Sequence, residues 1–509
     1  MATQVTVTPR PAALPVEDIR PRFDDERRVW VLWLFVGLLT AGGVVFARTR
    51  AFFPDEGFHL LAAKLINSGR KPYVDFFYQH PPLYPYVVGA WMRLAGQTWR
   101  NAHTLSALFT GCTTLLAAGF VFRRLPASEW RLAGGVITAT LVGLHLYMLW
   151  FGGVGQAYGF CLLMSVAAFR LATVGVEGTS ALAAGAAGLC AGAASAASLL
   201  TAPLGPILLV WIARHNRQGN VRSKAAAFLG AAAVPWCLWL WLAVQAPRQA
   251  LFDVFEFHLF YRQVNFPVHL WQQLTTLASW IDSPQTLPMV LLSAVGVVFL
   301  SRATDWPLPV RAEFRLCVWL LAAFGIYLSL ARPTFQQYFT LMIPFAGILA
   351  TVGVYAIGSR LWGASRPAVP VALVLVLYAV GLARSGWIYR SFFNHLMQQV
   401  DAFAAEIDRV TPPNGLVYTT EVIYFASHHD PPPGLENLQG LRLQVEPVLA
   451  RSLRLASTAQ VDQWLGEGRF DTVVIMTGDE RVEQLGLTRR YAGHKVLYNT
   501  YVLSDRLKK

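Results

Sequence analysis

Two adjacent carboxylates, Asp55 and Glu56, stand directly after the first long apolar run of the chain. Pro54 precedes them, and apolar residues with helical spacing follow from Phe58 to Ile66 before a Ser-Gly pair ends the pattern. The pair is therefore predicted at or near a helix N-terminus, where the helix dipole favours ionised carboxylates, typically by less than about 1 kcal/mol. A carboxylate held in this way can act as a general base or bind a cation. A simple N-cap is the alternative that the local sequence leaves open.

The next segment, 71–84, is too rich in proline and aromatic residues for a helix and is predicted to form a shaped surface. It contains a carboxylate at Asp75, an imidazole at His80 and a phenol at Tyr84. A loop carboxylate and an imidazole beside a membrane can bind a metal associated with phosphate, or can orient an acceptor. The aromatic residues can line a path for a sugar or a lipid, although an interfacial aromatic belt is the ordinary explanation for them.

The composition predicts an integral membrane protein, with these residues at the membrane surface. Of the 509 residues, 55% are apolar and only 14% are charged, which is too few charges for the surface of a soluble protein. Apolar runs of about 18 residues or more recur between Val29 and Ala383, each long enough to cross about 30 Å of hydrocarbon. The net charge of +13 is spread between these runs and not gathered on one face, which argues against a nucleic-acid partner.

About eleven spans can be threaded so that the basic clusters fall on one side of the membrane. They are predicted at 29–47, 102–122, 131–149, 154–174, 180–198, 201–213, 225–246, 285–301, 315–331, 340–358 and 367–384. Residues 1–28 then form a cytoplasmic tail, and 29–384 form the membrane domain. Its two long outer loops are the first loop (48–101) and the second loop (247–285).

Residues 385–509 change character and are predicted to form a small extracytoplasmic α/β domain. Val461–Leu465 has helical spacing, Thr472–Met476 reads as a strand, and Val496–Val502 reads as a terminal strand. The neighbouring histidines His428 and His429 read as an exposed loop pair and not as a zinc site.

The order of these features resembles a known family. An apolar span, Asp55-Glu56, an amphipathic helix, Pro-Tyr, Asp75 and then His80-Pro-Pro-Leu is similar to the bacterial relatives of protein O-mannosyltransferases and of the lipid A aminoarabinose transferase. These are C-type glycosyltransferases that use polyprenyl-phosphate sugars, and their fold has many spans with a catalytic first outer loop. The late turn 332–338, followed by a span with Pro344, extends the resemblance loosely over the whole chain.

The resemblance implies a role for each residue. Asp55 would be the base that deprotonates the acceptor hydroxyl as it attacks the anomeric carbon, and Glu56 would assist or position it. Asp75, His80 and Tyr84 would contribute to substrate binding. A cation must offset the charge of the lipid-phosphate leaving group, and the arginines on the predicted outer side are the candidates: Arg100, Arg262 and Arg332.

The expected activity is thus an inverting glycosyltransferase of the bacterial cytoplasmic membrane, with membrane lipids and a polyprenyl-phosphate-linked sugar as partners. The acceptor, whether glycan, lipid or protein, and the sugar, whether hexose or pentose, are left open. So is the metal: a divalent cation held by Glu56 and His80 is one alternative, and catalysis without a cation is the other. Two further classes stay open, a transporter or flippase and a non-catalytic scaffold of an envelope complex.

Overall fold

The structure is a computed structural model that describes residues 23–49, 55–259, 270–331, 333–363, 365–443 and 446–507. Helices account for most of the membrane domain. In chain order they are α1 (Phe23–Thr49), α2 (Glu56–Asn67), α3 (Leu83–Ala95), α4 (Trp99–Arg124), α5 (Arg131–Gly143), α6 (Leu146–Phe151), α7 (Tyr158–Gly175), α8 (Leu182–Ala197), α9 (Leu204–His215), α10 (Val221–Ala233), α11 (Cys237–Gln245), α12 (Pro247–Leu251), α13 (Leu270–Ile281), α14 (Thr286–Arg302), α15 (Leu308–Leu330), α16 (Ile343–Leu361) and α17 (Ala368–Val410).

Within the described residues, six helical stretches are long and apolar enough to cross a membrane. They are Arg28–Thr49, Trp99–Arg124, Tyr158–Gly175, Val221–Gln245, Leu308–Leu330 and Gln336–Leu361. A seventh is added if α13 and α14, which meet at 86°, form one broken span. Three shorter apolar helices overlap the spans predicted at 180–198, 201–213 and 367–384, and the span predicted at 131–149 is divided between α5 and α6. The chain is a membrane protein with the predicted all-α membrane domain, and the count of eleven spans stays a prediction.

Glycine permits close contact between α8 and α10. A Cβ at Gly188 or Gly192 of α8 would overlap the backbone of Phe228 or Ala232 in α10. The small residues of the Ala/Gly-rich helix α8 therefore let the two backbones approach closely. In a membrane, where the hydrophobic effect does not drive helices together, such close packing stabilises helix pairs.

The first loop contributes two short helices and the turn between them. Helix α2 ends at Asn67, and the chain then makes a tight turn at Pro72–Phe76, in which Tyr73 has a positive φ of 66°. The Tyr73 amide donates to the Phe76 carbonyl at 2.8 Å, and its hydroxyl donates to the His80 carbonyl at 2.6 Å. The aromatic residues of this segment are buried together with most of α2, so they fill a core and do not form an exposed interfacial belt.

Residues beyond α17 form the predicted α/β domain. Its helices are α18 (Glu421–Ala426), α19 (Pro447–Ser452), α20 (Thr458–Gly466) and α21 (Arg481–Gln484), and its strands are β1 (Val417–Tyr418), β2 (Thr472–Met476), β3 (Tyr491–Leu497) and β4 (Thr500–Arg506). The sheet order is β1-β2-β4-β3, with β1 parallel to β2 and the other pairs antiparallel. The predicted boundary at 384 lies inside α17, which continues without a break to Val410.

Two details of this domain were predicted wrongly. The strand predicted at Val496–Val502 is interrupted by a turn at Tyr498-Asn499, whose φ values are 47° and 60°, so β3 and β4 form a hairpin. The pair at 428–429 is not uniformly exposed: the His428 side chain is 92% exposed, whereas His429 is only 5% exposed. His429 is buried because the loop that carries it packs against Lys64 of α2, which donates to its carbonyl.

Candidate active site

Asp55 begins α2 but does not cap it. The residue occupies the N-cap position with helical backbone angles, and its side chain makes no capping hydrogen bond. The side chain is half-buried and interacts electrostatically with Tyr158 at the start of α7. The carboxylate is therefore directed to contacts other than the backbone N–H groups of its own helix, and the simple N-cap alternative does not describe it.

Glu56 lies beside Asp55 in a different environment. Its side chain is fully buried, and its Oε2 lies 2.6 Å from His103 Nε2 and accepts from the Gly155 amide at 2.9 Å. The other imidazole nitrogen of His103, Nδ1, lies 2.7 Å from the carbonyl oxygen of Ala47. A carbonyl oxygen can only accept, so Nδ1 carries a proton and the contact between Nε2 and Glu56 shares a single further proton.

This pair ties together three parts of the membrane domain. Ala47 lies at the end of α1, His103 in the first turns of α4, and Gly155 in the segment before α7. Because Glu56 is adjacent to Asp55, these three contacts fix the start of α2 and with it the position of the Asp55 carboxylate. This geometry favours a positioning role for Glu56. The resemblance implied that Glu56 either assists or positions Asp55.

A cluster of histidines and tyrosines lies one turn further along α2. His59 Nδ1 lies 2.8 Å from the Tyr78 hydroxyl, and the His59 ring is 5.1 Å from the ring of His80. The His80 ring is in turn 5.4 Å from that of His258. Burial lowers the pKa of His59 to about 3, so this imidazole is neutral at physiological pH. The predicted residue His80 thus lies among aromatic rings, between α2 and the second loop.

The second loop contributes a buried acid to the same region. Asp253 lies on a π-helical turn, Phe252–Glu256, and its Oδ2 accepts from the Tyr78 amide at 3.0 Å. Its Oδ1 has no hydrogen-bond partner among the described residues. Burial raises the pKa of this carboxyl well above its usual range. π-helical turns are rare and frequently occur at functional sites.

Tyr84, like Glu56, is a predicted residue that is fully enclosed. Its side chain is fully buried near Ser106 of α4, and its hydroxyl is close enough to Glu56 to interact electrostatically. Burial raises the pKa of its phenol. Tyr84 therefore belongs to the surroundings of the Glu56–His103 pair.

Two other predicted residues lie elsewhere. The Asp75 carboxylate is exposed and accepts from the Lys71 amide at 2.7 Å, which closes its own turn. Arg100 forms an ion pair of 3.2 Å with Asp401 of α17 and stacks over Trp99, with its guanidinium carbon 4.0 Å from the ring centre. The remaining two candidates, Arg262 and Arg332, fall outside the described residues.

Sequence reasoning missed His103, His59 and Asp253. His103 carried a usable signal, since an ionisable residue inside an apolar span marks a functional hypothesis by default. Asp253 carried a weaker one, as an acid between apolar and aromatic neighbours after a span. His59 gave no signal beyond its place on the predicted helix, because its partner Tyr78 comes from the following loop.

The described residues contain no group of three or more histidine, cysteine, aspartate or glutamate side chains that could hold a metal ion. Glu56 and His80 are the predicted metal candidates. Glu56 contacts His103, whereas the His80 ring lies beside those of His59 and His258.

No protein-family model matches the sequence, and no curated protein matches it. The fold, however, is similar to that of solved structures. ArnT from Cupriavidus metallidurans bound to undecaprenyl phosphate has a TM-score of 0.63 and 17% identity, with 93% of this chain and 97% of that chain covered. The chain has the fold of the C-type glycosyltransferases.

Two further structures share this C-type glycosyltransferase fold. ArnT from the same organism in the apo state has a TM-score of 0.61 and 16% identity, with 93% of this chain and 97% of that chain covered. The Archaeoglobus fulgidus oligosaccharyltransferase, in complex with Zn and sulfate, has a TM-score of 0.50 and 12% identity, with 92% of this chain and 73% of that chain covered. The predicted resemblance to C-type glycosyltransferases is confirmed at the level of the fold.

Proposed function

We propose that the chain is an inverting glycosyltransferase that moves a sugar from a polyprenyl-phosphate donor to a hydroxyl-bearing acceptor on the extracytoplasmic face of the membrane. The observation that carries the proposal is the likeness, over nearly the full length of both chains, to a protein solved with undecaprenyl phosphate bound. The Asp55 carboxylate supports it, since it lies at the start of a buried helix in the first loop without capping that helix.

In the proposed reaction, the acceptor oxygen attacks the anomeric carbon while Asp55 takes the hydroxyl proton. The bond between the anomeric carbon and the phosphate oxygen breaks, and the polyprenyl phosphate leaves with the electron pair. Glu56 holds Asp55 in place through its contacts with His103 and Gly155. A positive group must stabilise the leaving phosphate, and we keep Arg262 and Arg332 as candidates for it. Arg100 is a weaker candidate because it is already paired with Asp401.

The test is transfer of radiolabelled sugar from a panel of polyprenyl-phosphate donors by purified protein in lipid. Asp55→Asn keeps the shape of the side chain and removes the base, so we expect transfer to slow by about 10² or more. Asp282→Asn is the matched control, because Asp282 is an exposed aspartate at the end of α13, and it should transfer at the wild-type rate. Normal transfer by Asp55→Asn would refute the role of Asp55, and no transfer across a broad donor and acceptor panel would refute the activity.

A further inference from the structure

A cavity lies in the C-terminal domain, against the turn of the first loop. Its volume is about 370 Å³, and three arginines line it, Arg451, Arg454 and Arg469. Trp464 forms part of the wall, and Asp75 is the single acidic residue among the lining side chains of the described chain. We call this cavity the basic cleft.

The charge balance of the basic cleft favours an anion. The Asp75 carboxylate already accepts a hydrogen bond from the Lys71 amide, which offsets part of its charge. Guanidinium groups present paired donors that match the two oxygens of a carboxylate or a phosphate. Three such groups against one acid make the cleft electropositive.

The cleft also offers a flat apolar surface. Trp464 is half-buried in α20, and the Arg469 guanidinium carbon lies 4.8 Å from its ring centre. Aromatic rings provide a large contact area and a negative face, against which the C–H groups of a sugar ring can pack. An anion that carries sugar rings would use both features, whereas a bare inorganic anion would use only the arginines.

The turn at 450–455, which carries Arg451 and Arg454, is held in a fixed conformation. Arg454 has a φ of 58°, a left-handed conformation that persists only where the surrounding structure fixes it. Two backbone bonds close this turn, from the Arg454 amide to the Arg451 carbonyl and from the Leu455 amide to the Ala450 carbonyl. Leu455 is anchored in a buried cluster with Phe77 of the first loop and Phe257 of the second loop.

The cleft is therefore coupled to the candidate active site through one short loop. Asp75 lines the cleft, Phe77 supports its arginine segment, and His80 lies in the ring cluster beside α2. We infer that the basic cleft binds an anionic saccharide, a glycan with carboxylate or phosphate groups on its rings. Resting on the proposed function, this glycan would be the acceptor.

Direct binding to the full-length protein in lipid nanodiscs tests the inference without turnover. Four probes are compared by calorimetry: a galacturonate trimer, a trisaccharide with a phosphomonoester, the neutral maltotriose, and glycerol 1-phosphate, which has a charge but no ring. We expect at least one anionic trisaccharide to bind about tenfold or more tightly than both maltotriose and glycerol 1-phosphate. Equal binding of maltotriose would overturn the role of charge, and equal binding of glycerol 1-phosphate would point to a lipid headgroup instead.

Variants locate the binding. Arg454→Gln combined with Arg469→Gln should weaken the anionic trisaccharide by about tenfold or more, as loss of charge-assisted contacts predicts. Trp464→Leu, which keeps all charges, should weaken it by a smaller factor. Arg489→Gln changes an exposed arginine of the same domain that does not line the cleft, and it should bind like wild type. Unchanged binding in the double variant, with an unchanged melting temperature, would refute the site.

The binding experiments can fail or succeed independently of the transfer experiment that tests the proposed function. Selective binding together with no transfer from any donor would leave the cleft in place and remove the transferase activity. Transfer at the wild-type rate to an anionic glycan by the double variant would remove the cleft as the acceptor site while the transferase stands.

Discussion

At the scale of single residues, the adjacent acids Asp55 and Glu56 differ in nearly every physical respect. Asp55 is half-buried, whereas Glu56 is fully buried and bonded to His103 and Gly155. An acceptor could reach the half-buried Asp55 from outside, whereas Glu56 is enclosed by protein on all sides. The two environments favour different roles, a base for Asp55 and a positioning residue for Glu56, which the sequence alone could not tell apart.

The contrast predicts different effects for substitutions of the buried pair. His103→Ala removes one partner of a fully buried ion pair and should cost about 3–5 kcal/mol of stability. Glu56→Gln should cost about 1–3 kcal/mol, because both contacts use the single oxygen Oε2: the amide oxygen that takes its place can accept from Gly155, but the contact with His103 then lacks its shared proton. Thermal unfolding in lipid measures both, and equal small losses would show that the pair does not hold the site.

The same Glu56→Gln variant separates positioning from proton transfer. If Glu56 only positions Asp55, this variant should retain most of its transfer activity, because the side chain keeps its shape and its hydrogen bond from the Gly155 amide. A loss as large as that of Asp55→Asn would instead show that Glu56 itself accepts a proton.

Asp253 yields a prediction with a defined pH dependence. Its pKa in the folded state is raised by burial, so the folded state binds more protons than the unfolded state above pH about 3.8. Stability is therefore lost as pH rises through the window above that value, and a neutral side chain avoids the loss. Asp253→Asn, which can still accept from the Tyr78 amide, should raise the melting temperature at pH 7.5.

The difference between Asp253→Asn and wild type should shrink as pH falls and level off below about 3.8, because the Asp253 side chain is then neutral in the unfolded state as well. Melting temperatures measured in steps from pH 7.5 down to below the unfolded pKa test this. A variant less stable than wild type at pH 7.5 would mean that Asp253 is charged and paired, for example by a bound cation.

At the scale of elements, helix α2 makes one of the contacts between the membrane domain and the C-terminal domain. Lys64 donates to the carbonyls of Tyr424, Ser427 and His429, at or beyond the C-terminal end of α18, and lies 3.3 Å from Asp430. Gly57 permits the approach of α18, since a Cβ there would lie 2.7 Å from Val422 Cγ2. The helix that begins at Asp55 is thus held from both sides.

Removal of the Lys64 ammonium group should release this contact locally. Lys64→Met keeps much of the aliphatic stem but leaves three carbonyls without their donor, so backbone amides of 421–430 should exchange hydrogen faster. Lys71→Met is the control, because Lys71 lies in the same loop but donates to Gln245 of α11. Unchanged exchange at 421–430 in Lys64→Met would show that the other contacts, among them the Arg70–Glu436 ion pair, hold this segment without Lys64.

The elements also show which features a sequence can predict. Helix α2 and strand β2 follow local periodicity, and both were predicted from it. The β3–β4 hairpin was missed because its turn is Tyr498-Asn499, without the glycine that usually marks a turn with positive φ. The site contacts were missed for another reason: Glu56 and His103 are 47 residues apart, and Tyr78 and Asp253 are 175 apart. Local periodicity carries no information about such pairs.

At the scale of the whole molecule, the membrane domain has two chemically different ends. Helix α4 starts beside Glu56 and spans 26 residues to Arg124, a length of about 39 Å. At that far end, Arg124 Nε lies 2.9 Å from the buried Glu313, and Arg217 also pairs with Glu313 at 3.4 Å. The near end carries the candidate active site and the C-terminal domain. The positive-inside rule predicts that the arginine-rich far end is cytoplasmic.

Single cysteines at the two ends test this orientation. Glu480→Cys places an exposed thiol in the C-terminal domain, and Gln218→Cys places one beside Arg217. We expect a membrane-impermeant maleimide to label Glu480→Cys in intact spheroplasts, and to label Gln218→Cys only after permeabilisation; wild type gives the background of the native cysteines. Because α2 contacts the C-terminal domain, Asp55 must lie on the same side as Glu480. Labelling in the reverse order would put Asp55 in the cytoplasm, where an extracytoplasmic transfer reaction could not take place.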